Sequence, residues 1–294
     1  MFRLLGWVPL RVQLPAMVVV LLGSVVVVVV AAMCGVNSAV LSDLRYQCDS
    51  AIGPESKTAV SPRSVLSQGD GDGGGGHFER PSGLPMTNPY AEQTIPQSGP
   101  YVSSWLRDCL TAMRFAPYQA PALQTPAVGI GVACARRIAL QLVGQVLTAD
   151  AGGDLPGDRA LPRYLAYHAS VAEVSGRCDV PDDPDDAWAM TGVPDPIREP
   201  CANPLSQGTA PTVVVLPDTI AAQGMCGQRV EYTATSAGDL VFWDYRDNAP
   251  TQVGVAVEST SMVTMDSATN RVVQLPLPWG TDVRVKRVLP SDAT

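Results

Sequence analysis

Gly238-Asp239-Leu240-Val241-Phe242-Trp243 is followed, after Asp244-Tyr245-Arg246-Asp247-Asn248-Ala249-Pro250, by Thr251-Gln252-Val253-Gly254-Val255-Ala256-Val257. The two outer runs are short and rich in β-branched and aromatic residues, and the segment between them is polar. That pattern predicts two strands joined by a turn. Thr212 to Leu216, Met262 to Met265, Val272 to Leu275 and Val283 to Val288 have the same character. Strands this short, separated by turn residues, predict a small curled antiparallel sheet. Upstream the period changes. Trp105, Leu106, Cys109, Leu110 and Met113 follow helical spacing, with Ser103 or Ser104 as the cap. Further helices are expected over about 128–146, with Ile138, Leu142 and Val146 on one face, and from Tyr164 to Val174. A Pro-rich loop, Pro117 to Pro126, joins the first two, and turn-rich residues from Gly152 to Pro162 precede the third. Helices packed on a small antiparallel sheet make the class α+β.

The N-terminal part has a different character. No charged residue lies between Arg11 and Asp43. A stretch of about 20 apolar residues spans a bilayer as a helix, because its backbone bonds are satisfied internally. Residues 14–42 are therefore expected to form a transmembrane signal-anchor. Arg3 and Arg11 precede it, which places residues 1–13 in the cytoplasm and the rest of the chain outside. A cleaved signal peptide would have a shorter apolar core. A lipoprotein site at Cys34 would place the large Met33 where a small residue is required.

Residues 43–98 lack apolar periodicity and include Gly69-Asp70-Gly71-Asp72 and then Gly73 to Gly76. Such a segment is expected to be a flexible linker, because it buries too little apolar surface to offset its ordering entropy. It leaves a helical region, 99–177, and an α+β domain, 178–294. The acidic run Asp182-Asp183-Pro184-Asp185-Asp186 lacks the spacing and the glycine of a calcium loop, and it reads as a solvated loop. The net charge of −8 argues against nucleic acid as a partner. No zinc-ligand spacing occurs, so neither a metal nor a cofactor is expected.

Of seven cysteines, Cys34 falls in the expected span. Cys48, Cys109, Cys134, Cys178, Cys201 and Cys226 lie on the outer side, where disulfides persist. Their even number predicts three bridges of unspecified connectivity. A bridge from Cys109 to Cys134 would close the first helical hairpin. Cys201 has Cys178 and Cys226 as alternative partners.

Leu216-Pro217-Asp218-Thr219-Ile220-Ala221-Ala222-Gln223, Ala237 to Trp243 and Gln252-Val253-Gly254 together resemble the NlpC family of papain-like cell-wall cysteine peptidases. The family shows a Leu-Pro-x-Thr/Ser-x-x-x-Gln run, a Pro-Gly-Asp-Leu-Val-Phe-Phe strand and then His-Val-Gly. Trp188 and Gly192 are similar to its Trp-Gly-Gly approach to the nucleophile. The resemblance covers about the last hundred residues. It implies a nucleophile at Cys201, a base at Gln252 and a third polar residue at Thr264, in the run Ser261-Met262-Val263-Thr264.

The chemistry then weighs against activity without closing the question. Such a thiolate needs an adjacent imidazole and is helped by a helix N-terminus. An amide at Gln252 takes no proton near neutral pH, and neither does the Thr264 hydroxyl. Pro200-Cys201-Ala202-Asn203 replaces the family's Asp-Cys-Ser-Gly, and Gly208 and Pro211 interrupt any helix that follows. The two histidines are His77, in the Gly-rich segment, and His168, in the third helix. The expectation is a single-pass envelope protein whose degenerate NlpC-like domain binds peptidoglycan stem peptide or an envelope protein. The alternatives are an active cysteine peptidase or amidase using Cys201, with His168 as an unusual helper, and a structural subunit of a secretion or conjugation apparatus.

Overall fold

The computed structural model describes residues 40–55, 88–93, 103–146, 157–179 and 213–289. The chain divides into two units, Met1–Tyr46 and Gln47–Thr294. Of the first, residues 40–46 are described and are helical. No helix among the described residues is long and apolar enough to cross a membrane. The expected span, 14–42, lies outside those residues as far as residue 39.

The second unit is α+β. Its sheet has six strands in the order β1-β6-β2-β3-β4-β5, and every pairing is antiparallel. The strands are β1 (Gln228–Val230), β2 (Leu240–Arg246), β3 (Ala249–Ala256), β4 (Ser261–Asp266), β5 (Arg271–Pro276) and β6 (Arg284–Arg287). The β2–β3 hairpin is longer than its composition suggests. Tyr245 pairs with Pro250 and Arg246 with Ala249, so the turn shrinks to Asp247 and Asn248, at φ 49° and 59°. A two-residue turn with both φ positive matches the twist of the strands it joins, and Asp and Asn tolerate that conformation.

Four helices have complete bounds: α1 (Ser104–Ala112), α2 (Ile130–Leu142), α3 (Gly157–Ser175) and α4 (Ile220–Met225). Ser103 caps α1 as its sequence suggests, its side chain accepting from the Leu106 N–H at 3.2 Å. α3 begins before the expected Tyr164 and contains Pro162. One missing amide bond near its start is outweighed by the burial of Leu161, Tyr164, Leu165, Ala169 and Ala172.

The strand expected from Thr212 to Leu216 needs correction, and one strand was not expected. Residues 213–216 form no ladder, and Thr212 lies outside the described residues. The Val214 N–H donates to Ser170 Oγ of α3 at 2.8 Å, and Val214 and Leu216 enter the core. An apolar β-branched run can be buried against a helix as well as in a sheet. Conversely, β1 has too little apolar character to stand out in the sequence, and pairing with β6 creates it.

Side chains alternate across a strand, so the sheet has two distinct faces. Leu240, Phe242, Val253, Val255, Val257, Val263 and Met265 share one core with Ile138 and Leu142 of α2 and Leu161 and Leu165 of α3. Val241, Ala256, Met262 and Leu277 form a second, smaller cluster on the opposite face. Each fully buried Leu, Val or Phe contributes about 1.5–3 kcal/mol, which makes the helix-covered face the main source of stability.

The stretch expected as linker differs at both ends. Residues 47–52 are helical and largely buried, and Asn88 and Tyr90 are buried as well. Local composition carried no sign of this, because the partners that hold these residues lie far away in sequence.

The disulfides also differ from the expected hairpin bridge. Cys48 pairs with Cys109, and Cys134 with Cys178. Cys109 and Cys134 therefore do not bridge each other; each ties its helix to a segment outside the hairpin.

Candidate functional site

The family-like residues are mostly structural in this fold. Thr219 caps α4 by accepting from the Ala222 N–H at 3.2 Å. Gln223 is fully buried, and its amide donates to the carbonyls of Pro217 at 2.8 Å and Arg159 at 3.1 Å. The Leu-Pro-x-Thr-x-x-x-Gln run thus folds back on itself and staples α4 to α3. Gly238 opens β2 at φ 86°, and a Cβ there would lie 2.5 Å from Leu289. Glycine is required on both counts.

Asp239 has the largest role. Its carboxylate takes two 2.8 Å hydrogen bonds from Arg287, at Nε and Nη2, and one of 2.8 Å from the Ser236 N–H. Arg287 also donates to the Thr125 carbonyl at 3.0 Å and the Ala234 carbonyl at 3.1 Å. Both side chains are 2% exposed. Burial pushes the Asp239 pKa up, while Arg287 and the Ser236 N–H oppose that shift. A planar fork meeting a carboxylate in this way joins β6 to the start of β2.

The chemical positions look different. Cys201 lies outside the described residues, as do Cys34, His77, Trp188, Gly192 and the acidic run 182–186. Cys226 is disulfide-bonded. Its partner lies outside the described residues, and the sequence leaves Cys34 and Cys201 for that role.

Gln252 lies on β3 and is exposed. It pairs across the strands with Trp243. Alternation places Gln252, Gly254 and Ala256 on the face opposite Val253, Val255 and Val257. Ala256 pairs with Met262, so Thr264 shares the Gln252 face. The two positions named by the resemblance therefore lie on one face, but α2 and α3 cover the other. Thr264 is buried, and its hydroxyl donates to the Val253 carbonyl at 2.8 Å. That hydrogen bond occupies its one proton.

His168 is not brought to this place. Its ring packs against two tyrosines of its own helix, Tyr164 at 4.3 Å and Tyr167 at 5.2 Å between centroids. Burial pulls its pKa below the ordinary imidazole value. The ring is thus neutral near pH 7, on the helical side of the sheet.

Two aromatic side chains that the sequence did not single out, Tyr232 and Trp279, adjoin Trp243 on the Gln252 face. Tyr232 and Trp243 pack on the Val241, Ala256, Met262 and Leu277 cluster. Trp279 stands 88% exposed, its ring centroid 5.4 Å from that of Tyr232. The clue in the sequence was weak: a tryptophan between Pro278 and Gly280, in a chain only 6% aromatic.

Among the described residues, no group of three or more His, Cys, Asp or Glu side chains is placed to hold a metal ion. Comparison with protein-family models returns no match, and comparison with curated proteins returns none.

Proposed function

We propose that the second unit is a non-catalytic binding domain of the extracytoplasmic envelope, built on a degenerate NlpC-like scaffold. The observation that carries this reading is Gln252. At the position of the base it offers an exposed amide, which donates and accepts hydrogen bonds but removes no proton. Thr264, at the third position, is committed to a backbone carbonyl. The bonded cysteines support an oxidising compartment. In this reading Cys201 is the partner of Cys226, because Cys34 belongs to the anchor. The ligand is a wall stem peptide or the surface of an envelope protein. It lies along the face that carries Gln252 and Trp243, beside Tyr232 and Trp279. Aromatic rings next to an amide suit a peptide, giving contact area and backbone-type hydrogen bonding together.

Calorimetry of the unit with purified muropeptides tests the wall form of this proposal. Binding without cleavage is expected, weakened about tenfold or more by Gln252→Ala or Trp279→Ala with the fold intact. Cleavage that disappears in Cys201→Ala would overturn the proposal. Failure to bind muropeptides, with a protein crosslinked to this face in cells, would select the protein-partner form.

A further inference from the structure

We infer that residues 47–53 are a locked strap of the folded unit, so that the chain is fixed to that unit on both sides of residues 56–87 and those residues do not serve as the tether to the preceding chain. Four independent contacts hold the strap. Cys48, fully buried, is bonded to Cys109 of α1. Gln47 and Gln119 bond reciprocally, with the Gln47 amide donating to the Gln119 carbonyl at 2.9 Å and the Gln119 N–H to Gln47 Oε1 at 2.8 Å. Asp49 accepts from Arg229 of β1 and from Arg284 of β6, the latter through Nε at 3.0 Å. Trp105 Nε1 donates to the Gly53 carbonyl at 2.9 Å.

The last contact allows little tolerance. Gly53 sits at φ 84°, and a Cβ there would lie 2.2 Å from the ring of Tyr245. From residue 88 the chain is anchored again. Asn88 donates to the Ala116 carbonyl at 3.3 Å and to Met113 Sδ at 3.1 Å, both just beyond α1. Residues 47–55 and 88–93 thus belong to one unit.

The strap also neutralises charge. Arg229, Arg284 and Lys286 gather at the β1–β6 end of the sheet, and Asp49 is the carboxylate facing them. Lys286 Nζ is buried with no hydrogen-bond partner among the described residues. Removing the strap would leave the two guanidinium groups without that counter-charge.

The test is a specific protease site inserted among residues 70–76 of the full chain. After complete cutting, the two pieces are expected to migrate as one species on an unreduced denaturing gel and to part only on reduction. Pieces that part without reductant would overturn the inference. Hydrogen exchange on the uncut protein gives a second readout that needs no variant. The amides of residues 49–53 are expected to be protected at least a hundredfold over free peptide, and exchange at the free-peptide rate would overturn the strap. Neither result depends on the ligand, so the proposed function stands or falls separately.

Discussion

The two ends of the sheet handle polar chemistry in opposite ways. At the β1–β6–β2 end, charged groups pair: Asp239 with Arg287, both buried, and the half-buried Asp49 with the half-buried Arg229 and the buried Arg284, within electrostatic reach of the buried Lys286. At the β3–β4 end, where the family resemblance places its chemistry, the groups are neutral: an exposed amide at Gln252 and a hydroxyl bonded to backbone at Thr264. Among the described residues, the buried charged side chains hold segments together, and neither of the two positions named by the resemblance carries an ionisable group. The proposed binding role rests on this contrast.

The largest effect is expected where the charged end is broken. Asp239→Ala leaves a buried guanidinium unpaired and should cost about 3–5 kcal/mol, read from the denaturant midpoint. Removing the strap's covalent tie with Cys48→Ser and Cys109→Ser should cost about 2–4 kcal/mol, since the bridge closes a 61-residue separation. Chemical denaturation of unreduced wild type against this variant measures that cost.

Lys286 sharpens the comparison through pH. Burial pulls its pKa down to about 7 from 10.5; Arg229 and Arg284 add to the shift and Asp49 opposes it. The unfolded chain therefore binds the proton more tightly than the folded one. The cost of the buried amine is fully present below pH 7 and fades as pH rises toward 10.5. Lys286→Met should stabilise the protein below pH 7. It should also remove a slope of at most about 1.4 kcal/mol per pH unit between pH 7 and 10.5. Denaturation of both proteins across that range isolates the difference from other titrating groups.

Effects at the neutral end should be small. Thr264→Val deletes one hydrogen bond and should cost about 1 kcal/mol, with no change in any activity. Gln252→His supplies an imidazole, but with Cys201 bonded to Cys226 as proposed it has no thiol to activate, so hydrolysis of muropeptides should stay at background. Turnover in Gln252→His would erase the distinction between the two ends.

How much of this was legible in the sequence follows the same division. Leu240 to Phe242, Val253 to Val257 and Met262 to Met265 announced their strands, because local alternation and β-branching make a strand. Ser103 announced its helix cap for an equally local reason. The Gly-Asp and Leu-Pro-x-Thr motifs were visible, but their roles were not. Asp239 reaches Arg287 across 48 residues, and Gln223 reaches Arg159 across 64. The strap was invisible for the same reason, since Asp49 meets Arg284 across 235 residues. Asp247 and Asn248 show the limit at short range: a mostly polar run of seven residues hid a two-residue turn, because register and not composition sets where a hairpin ends.

The most direct measurement is thiol labelling of the unreduced protein at neutral pH, followed by peptide mass mapping. The account predicts that Cys48, Cys109, Cys134, Cys178, Cys201 and Cys226 take no label, with Cys201 recovered bonded to Cys226. A label on Cys201 in the folded protein, together with muropeptide cleavage that Cys201→Ala abolishes, would contradict it.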